Sequence, residues 1–225
     1  MSMEALLLSL RLSTTVALLL LALALPLAYV ISFFEWRGKF LVESVVALPL
    51  VLPPTVLGFY ALIAMGPRGP LGRLWQSLFG HSLAFTFAGL VIASLIYSLP
   101  FAVQPFAAAM AAVDRRLIEA AWCLGVSRAG TFARVIVPLA RPGIVTGMVL
   151  SFAHTLGEFG VVLMVGGNLP GRTRTVSISI YDAVQSLDYA AAGRTSLLLL
   201  AFSFGVLAIT YAFQRSVWAV WPLRS

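Results

Sequence analysis

Residues 83–110 read LAFTFAGLVIASLIYSLPFAVQPFAAAM, a stretch without a single charged side chain. A transmembrane helix needs about 20 mostly apolar residues, because its backbone groups must be satisfied within the segment. The stretch therefore predicts a membrane-spanning helix. The rest of the chain has the same character, since 60% of its 225 residues are hydrophobic and only 10% are charged. Soluble domains carry about 25% charged residues, so these charges are too few to coat one.

Four further stretches are long and apolar enough to span a bilayer. The sequence thus predicts an all-α integral membrane protein of about five transmembrane helices, in a single domain over residues 1–225. The first stretch could instead be a secretory signal peptide, because Arg11 precedes Ala22-Leu23-Ala24, which has the form of a cleavage site. Its long apolar run and the membrane span that follows argue against that alternative. The five stretches are Leu12–Phe34, Ser44–Met65, Leu83–Met110, Pro142–Gly166 and Thr195–Phe213.

The basic residues near the span ends predict the orientation of the chain. Of the 15 lysines and arginines, nine lie on one side of a five-span arrangement and six on the other. The richer side holds Arg37, Lys39, the five arginines of residues 115–141, and the tail residues Arg215 and Arg224. Because cytoplasmic loops carry an excess of positive charge, this bias predicts an external N-terminus and a cytoplasmic C-terminus. It also accounts for the net charge of +7 without a nucleic-acid partner.

The most informative polar segment is residues 114–138, DRRLIEAAWCLGVSRAGTFARVIVP. Its alanine-rich first part predicts a helix that continues out of the third span to Leu124, and Gly125 can adopt the left-handed conformation that ends such a helix. Ser127 can cap a second short helix running towards Pro138. The segment is either an ordinary amphipathic loop or a helical hairpin with a specific partner. The apolar side that it would bury is formed by Leu117, Ala121 and Leu124.

The spacing within this segment favours the second reading. Glu119-Ala120-Ala121, three residues, Gly125, nine residues and then Val135-Ile136-Val137-Pro138 resemble the EAA signature of ABC importer permeases, Glu-Ala-Ala-x3-Gly-x9-Ile-x-Leu-Pro. Val135 and Val137 are conservative departures. The resemblance implies a type I importer permease fold, in which residues 114–138 form a cytoplasmic loop that docks into a groove of an ATP-hydrolysing subunit. The residues that it assigns to this contact are Glu119, Ala120, Ala121, Gly125, Ser127 and Pro138.

The sequence predicts no enzymatic activity in this chain. A P-loop needs Gly-x4-Gly-Lys-Ser/Thr, and the only lysine, Lys39, lies in Arg-Gly-Lys-Phe. The only cysteine is Cys123, and the two histidines, His81 and His154, lie on different segments, so no metal site is predicted. ATP and Mg²⁺ would therefore be bound by a partner ATPase, with no cofactor in this chain. A stand-alone secondary transporter, which would work without an ATPase, is the alternative.

The resemblance extends over nearly the whole chain. The segments Leu48–Gly58, Leu156–Gly160 and Gly167–Thr175 resemble molybdate transporter permeases in order and spacing. The implied function is that of a permease subunit which passes molybdate across the bacterial cytoplasmic (inner) membrane, and a sulfate/thiosulfate or tungstate importer is the alternative. The implied partners are a second copy of the chain, two cytoplasmic ABC ATPase subunits and an external oxyanion-binding protein.

Polar and helix-breaking residues inside the spans mark a candidate translocation pathway. Pro53 and Pro54 interrupt the second span, while His154 and Glu158 are the only ionisable pair deep in an apolar span. Together with Ser151 and Thr155, His154 could line the route with hydrogen-bond donors. A carboxylate repels an oxyanion, so the alternative for Glu158 is a structural bond to another span or subunit.

Residues 167–194 predict an external loop that contains a short helix. Arg172 and Arg174 in this loop could attract a dianion or meet an acidic patch on a binding protein. The alternative is a solvated loop whose positive charges have no specific partner.

Overall fold

The computed structural model describes residues 3–219, and within that range the chain is helical, without a strand. This confirms the predicted all-helical fold. Arg224 of the predicted basic tail lies outside the described residues. The helices are α1 Met3–Phe33, α2 Lys39–Val51, α3 Pro54–Met65, α4 Pro70–Phe79, α5 Phe87–Ala111, α6 Arg115–Cys123, α7 Arg128–Thr131, α8 Val137–Gly157, α9 Gly160–Gly166, α10 Val176–Gln185 and α11 Tyr189–Ala219. A π-helical turn, Phe132–Ile136, joins α7 to α8.

Four of the described helical segments are long and apolar enough to cross a membrane, namely α1, α5, the continuous Arg128–Gly157 and the Tyr189–Ala208 part of α11. Helices α2 and α3 pass the same test only as a pair, and they are bent by 113° at their junction. The bend follows from Pro53-Pro54, since proline lacks the N–H that would continue α2 but is well placed in the first turn of α3. Counted as one broken span, this pair gives the predicted five.

Two continuous helices that the sequence predicts are interrupted. The prediction of one fourth span over Pro142–Gly166 is wrong, because α8 ends at Gly157 and Glu158 has extended backbone, with φ −65° and ψ 138°. The predicted continuation of the third span to Leu124 is also wrong, because α5 ends at Ala111. Asp114 then begins a new helix by accepting a hydrogen bond from the N–H of Arg116 at 2.9 Å. A side-chain cap offers the backbone an alternative to continuing the helix.

The core lies where α1, α5 and α8 meet. Leu12, Leu20 and Phe106 are fully buried there. Helices α5 and α8 approach so closely that a Cβ added at Gly143 would lie 2.3 Å from the Cβ of Ala109, and one at Gly147 would lie 2.7 Å from the Phe106 ring. Small residues at such contacts let membrane helices gain packing energy where the hydrophobic effect supplies none.

Candidate functional site

Residues 114–131, here called the hairpin, are held by caps that the sequence encodes. Gly125 follows α6 with a φ of +77°, the left-handed conformation predicted for it. Ser127 Oγ then accepts a hydrogen bond from the N–H of Gly130 at 3.1 Å, which confirms Ser127 as the cap of α7. The turn between the two helices is thus fixed by one glycine and one hydroxyl.

The hairpin buries a different side from the one predicted. Ile118 is 4% exposed and joins the same buried cluster as Ile136 of the π-helical turn, whereas Leu117 is half exposed and Leu124 is 84% exposed. The predicted packing of Leu117 and Leu124 is therefore wrong for contacts within the chain. Only Ala121 of that predicted face turns inwards. The hairpin is anchored by one apolar side and leaves a second apolar side uncovered.

The residues assigned to a partner contact are mostly accessible. Glu119, Ala120, Gly125 and Ser127 are exposed, as is Pro138 at the second position of α8. Ala121 differs from them, because it is 8% exposed and packs inside the chain.

The two helix breaks meet at one place. A Cβ added at Gly160, the first residue of α9, would lie 2.6 Å from the Cβ of Pro54, the first residue of α3. A Cβ at Gly58 one turn further along α3 would lie 2.8 Å from the Cβ of Met164. The short helices α3 and α9 therefore pack tightly against each other. Beside them lies an open recess of about 390 Å³, here called the break recess, which is lined by Pro54, Thr55, Tyr97, His154 and Gly157–Gly160.

A buried polar cluster connects the break recess to α5. Ser94 Oγ donates to Glu158 Oε2 at 2.9 Å. Ser98 Oγ lies 2.9 Å from His154 Nδ1 and 2.9 Å from Thr155 Oγ1. Glu158 is 5% exposed, and its Oε1 has no hydrogen-bond partner among the described residues. The cluster holds α5 against the end of α8.

The structure brings together most of the predicted pathway residues. Pro54, His154 and Glu158 line the break recess, and the hydroxyl of Ser98 links Thr155 to His154. His154 and Glu158 belong to separate hydrogen-bonded pairs, and the His154 ring stacks on Phe101 at a centroid distance of 3.9 Å. The other two predicted residues, Pro53 and Ser151, neither line the recess nor belong to this polar cluster. Pro53 precedes α3, and Ser151 is buried with its hydroxyl bonded to the carbonyl of Met148 at 3.1 Å.

Sequence reasoning missed the two serines of α5. Ser94 and Ser98 lie four residues apart, and therefore on one face of a helix, in the charge-free stretch. That spacing was the available signal for a polar strip. Their partners, 64 and 56 residues away in the chain, required the fold.

The external loop contains an internal network. Arg174 lies 3.2 Å from Asp182 Oδ2 through its Nη2 and donates from Nε to Asn168 Oδ1, while Asn168 Nδ2 donates to Asp182 Oδ1 at 2.7 Å. Arg174 is thus committed to contacts within the loop, whereas Arg172 is exposed. The predicted short helix is α10. Ser9 Oγ of α1 accepts a hydrogen bond from the N–H of Val176, the first residue of α10, at 2.9 Å.

The fold is shared with membrane subunits of solved ABC transporters. A chain of a bacterial ABC transporter involved in the import of the acidic polysaccharide alginate aligns with a TM-score of 0.77 at 17% identity, covering 95% of this chain and 79% of that chain. A chain of the MetNI methionine ABC transporter aligns with a TM-score of 0.72 at 15% identity, covering 95% and 94%.

Curated relatives are more similar in sequence. The molybdenum transport system permease protein ModB of Azotobacter vinelandii is 50% identical over 208 residues, 92% of each chain. The Escherichia coli K12 protein of the same name is 36% identical over 206 residues, 92% of this chain and 90% of that protein. A probable sulfate transport system permease protein of Chlorella vulgaris is 33% identical over 188 residues, which are 84% of this chain and 70% of that protein.

A family model covers almost all of the chain. The model of the binding-protein-dependent transport system inner membrane component matches residues 14–218. Its extent and the two ModB proteins settle the class: this chain belongs to the family of binding-protein-dependent transport system inner membrane components, the permease subunits of ABC importers.

Proposed function

We propose that the chain is the permease subunit of an importer for molybdate. The assignment of molybdate as substrate rests on the 50% identity to a molybdenum permease over 92% of both chains. The identity to a sulfate permease is 33%, and this chain covers 70% of that protein. The energy comes from ATP and Mg²⁺ bound by separate ATPase subunits, and the anion is delivered by an external oxyanion-binding protein. The solved alginate transporter in complex with a periplasmic protein has a membrane chain of this fold, with a TM-score of 0.75, and supports that division of labour.

The hairpin is the surface that docks on the ATPase. Its exposed side presents the apolar side chains of Leu117 and Leu124 beside the carboxylate of Glu119. A protruding apolar surface is stabilised by a partner that covers it. Glu119, Ala120 and Gly125 lie in the EAA spacing at this surface, with Ser127 fixing the second helix. The carboxylate of Glu119 can bind a basic group in the groove of the ATPase.

The hairpin is rigidly connected to a span. Helix α7, the π-helical turn and α8 form one continuous segment, Arg128–Gly157, which ends at the break recess. A displacement of the hairpin by the ATPases would therefore be transmitted along α8 to the region of His154 and Thr155. In the proposed cycle, ATP binding draws the two hairpins together and opens the pathway outwards, and hydrolysis returns it to the inward-open state.

A second copy of the chain completes the pathway. Helices α2 and α3 carry exposed apolar side chains, including Val45, Val51 and Tyr60, and one copy leaves the break recess open on one side. Two copies with their recesses facing each other would enclose a route. His154, Thr155 and Ser98 would supply donors along it, while Glu158 serves as a structural acceptor for Ser94. Of the two loop arginines predicted to act there, Arg172 lies outside the loop network and is the better candidate for contact with the binding protein.

The test is ATP hydrolysis in liposomes that contain this chain, its ATPase and its binding protein. We expect stimulation by the binding protein loaded with molybdate, and competition by tungstate to exceed competition by sulfate. Glu119→Gln is expected to reduce stimulation, whereas Glu43→Gln, a change of the same charge on α2, is the control. Equal stimulation by sulfate would assign the importer to the alternative substrate class, and stimulation that Glu119→Gln leaves intact would remove the carboxylate from the docking contact.

A further inference from the structure

A cavity of about 350 Å³ lies between the end of α1 and the hairpin. Aromatic rings form one part of its wall, and two arginines of the hairpin form another. The residues that carry the argument are Tyr29, Phe33, Phe34, Arg115, Trp122 and Arg128.

Among the described residues, the two arginines have no carboxylate partner within ion-pair distance. The ion pairs among the described residues are Lys39–Glu35 and Arg174–Asp182, so neither Arg115 nor Arg128 is paired within residues 3–219. Glu119 also lines the cavity, which leaves an excess of one positive charge there. Guanidinium groups bind phosphate oxygens in a planar, bidentate geometry, and they are more weakly hydrated than ammonium groups. The cavity thus has the charge and the donors for a phosphate group.

The depth of the cavity in the membrane follows from the length of α1. With 31 residues, this helix extends about 46 Å at about 1.5 Å per residue, whereas the hydrocarbon core is about 30 Å thick. Its ends therefore reach the headgroup layers. Tyr29, Phe33 and Phe34 lie at one of these ends, where aromatic side chains are enriched in membrane proteins. At this depth the exposed arginines of the cavity wall would meet lipid headgroups, and its aromatic rings would meet the acyl chains.

We infer that this cavity holds the phosphodiester headgroup of an anionic phospholipid between Arg115 and Arg128, with the acyl chains leaving past the aromatic end of α1. The side of the membrane rests on the proposed function, which puts the hairpin in the cytoplasm and the lipid in the inner leaflet. Basic pockets between transmembrane helices on that side bind anionic lipid headgroups, and this cavity presents the same charge at the end of one such helix. A lipid bound there braces α6 against the end of α1, so that the two would move together when the ATPase displaces the hairpin.

The test uses the purified full-length chain and does not depend on the transported anion. Native mass spectrometry would measure retention of phosphatidylglycerol against phosphatidylcholine. The wild type is expected to retain phosphatidylglycerol, and the Arg115→Gln/Arg128→Gln variant to bind it at least about tenfold more weakly, since two charge-assisted contacts are lost. Arg116→Gln, on the same helix but outside the cavity wall, is the matched control. The Arg115→Lys/Arg128→Lys variant keeps the charge and is expected to retain part of the binding, which distinguishes a lost site from a misfolded protein.

Three outcomes would overturn the inference. Equal retention by the wild type and the double glutamine variant would show that the cavity holds no anionic lipid. Displacement of the lipid by millimolar inorganic phosphate would assign the site to a soluble anion. An equal loss of retention in the Arg116→Gln control would show that binding follows the charge of the hairpin and not the cavity. A failure of molybdate stimulation in liposomes would contradict the proposed function and leave the lipid measurement unaffected.

Discussion

Gly125 determines the turn of the hairpin through its backbone and not through crowding. Its φ is +77°, and an added Cβ would meet no atom within 4 Å. Alanine at this position therefore fits, but the left-handed conformation costs about 1–2 kcal/mol.

We expect Gly125→Ala to reduce molybdate-stimulated ATP hydrolysis about fivefold, the factor that about 1 kcal/mol produces in an equilibrium, while the spans stay folded. The measurement is stimulated hydrolysis in liposomes. Gly193→Ala is the matched control, because Gly193 lies within α11 and its added Cβ would also meet no atom within 4 Å. An equal fall in both variants would show that the positive φ of Gly125 has no role in coupling.

Ser94 donates a hydrogen bond from its hydroxyl to Oε2 of the buried carboxylate of Glu158 at 2.9 Å. Its loss would leave a buried acceptor unsatisfied, which costs about 1–3 kcal/mol. We expect Ser94→Ala to lower the thermal unfolding midpoint of the detergent-solubilised protein by about 2 °C or more. Ser77→Ala removes an exposed hydroxyl that bonds the carbonyl of Leu74, and it is expected to have little effect. Equal midpoints for the two variants would contradict the structural role of the Ser94–Glu158 bond.

At the scale of elements, the contact between α5 and α8 depends on glycine. A Cβ at Gly147 would lie 2.7 Å from the Phe106 ring and 3.0 Å from the carbonyl oxygen of Ala102. Since the carbonyl cannot move aside as a flexible side chain would, we expect Gly147→Ala to destabilise the protein by about 1–3 kcal/mol. Thermal unfolding measures the effect, and Gly205→Ala, whose Cβ would meet no atom within 4 Å, is the control. Addition of Phe106→Leu should recover part of the loss, and strictly additive effects would argue against direct contact.

The elements also show which features a sequence can predict. Apolar length predicted the spans, because the bilayer imposes that length on any helix that crosses it. Pro53-Pro54 marked one helix break through its missing donors, but the break at Glu158 has no proline, and hydropathy alone merged α8 with α9. The sequence pattern placed Asp114 within a continuous helix, whereas it caps the start of α6. A cap of this kind involves only a few residues, so the apolar pattern on either side does not reveal it.

The hairpin shows a second limit of sequence patterns. The apolar positions Leu117 and Leu124 were recognised, but they are exposed in the chain. A periodic pattern identifies a face that favours burial and does not say whether the covering surface comes from the same chain or from a partner. The Gly125 turn and the Ser127 cap depend on neighbours in sequence, so they could be predicted correctly.

For the whole molecule, the position of the hairpin relative to the bilayer is accessible to chemical labelling. Cys123 is the only cysteine in the sequence and is exposed on α6. We expect a membrane-impermeant maleimide to label it in inside-out vesicles and not in intact cells. In a Cys123→Ser background, Ser186→Cys on the external loop is the control and is expected to react only from outside. Labelling of Cys123 from outside would reverse the proposed orientation.

The same reagent tests whether the bent α2–α3 pair crosses the membrane. If it crosses, three crossings separate the N-terminus from the hairpin, and Met3→Cys, exposed at the start of α1, is expected to react from outside. If the pair turns back within the bilayer, Met3→Cys and Cys123 would react from the same side. The measurement therefore distinguishes five spans from four.

The meeting of two helix breaks at Pro54 and Gly160 also has a consequence for the solvent. Turn and cap hydrogen bonds satisfy some of the last carbonyls of α2 and α8 and some of the first N–H groups of α3 and α9, and hydrocarbon offers no partner to the rest. We therefore expect water to reach the break recess, which lies between two of the most apolar stretches of the chain. In a hydrogen–deuterium exchange experiment, residues 158–160 would form an island of fast exchange between slowly exchanging helices. A hydrated break recess would let an anion leave bulk water without first losing its whole hydration shell.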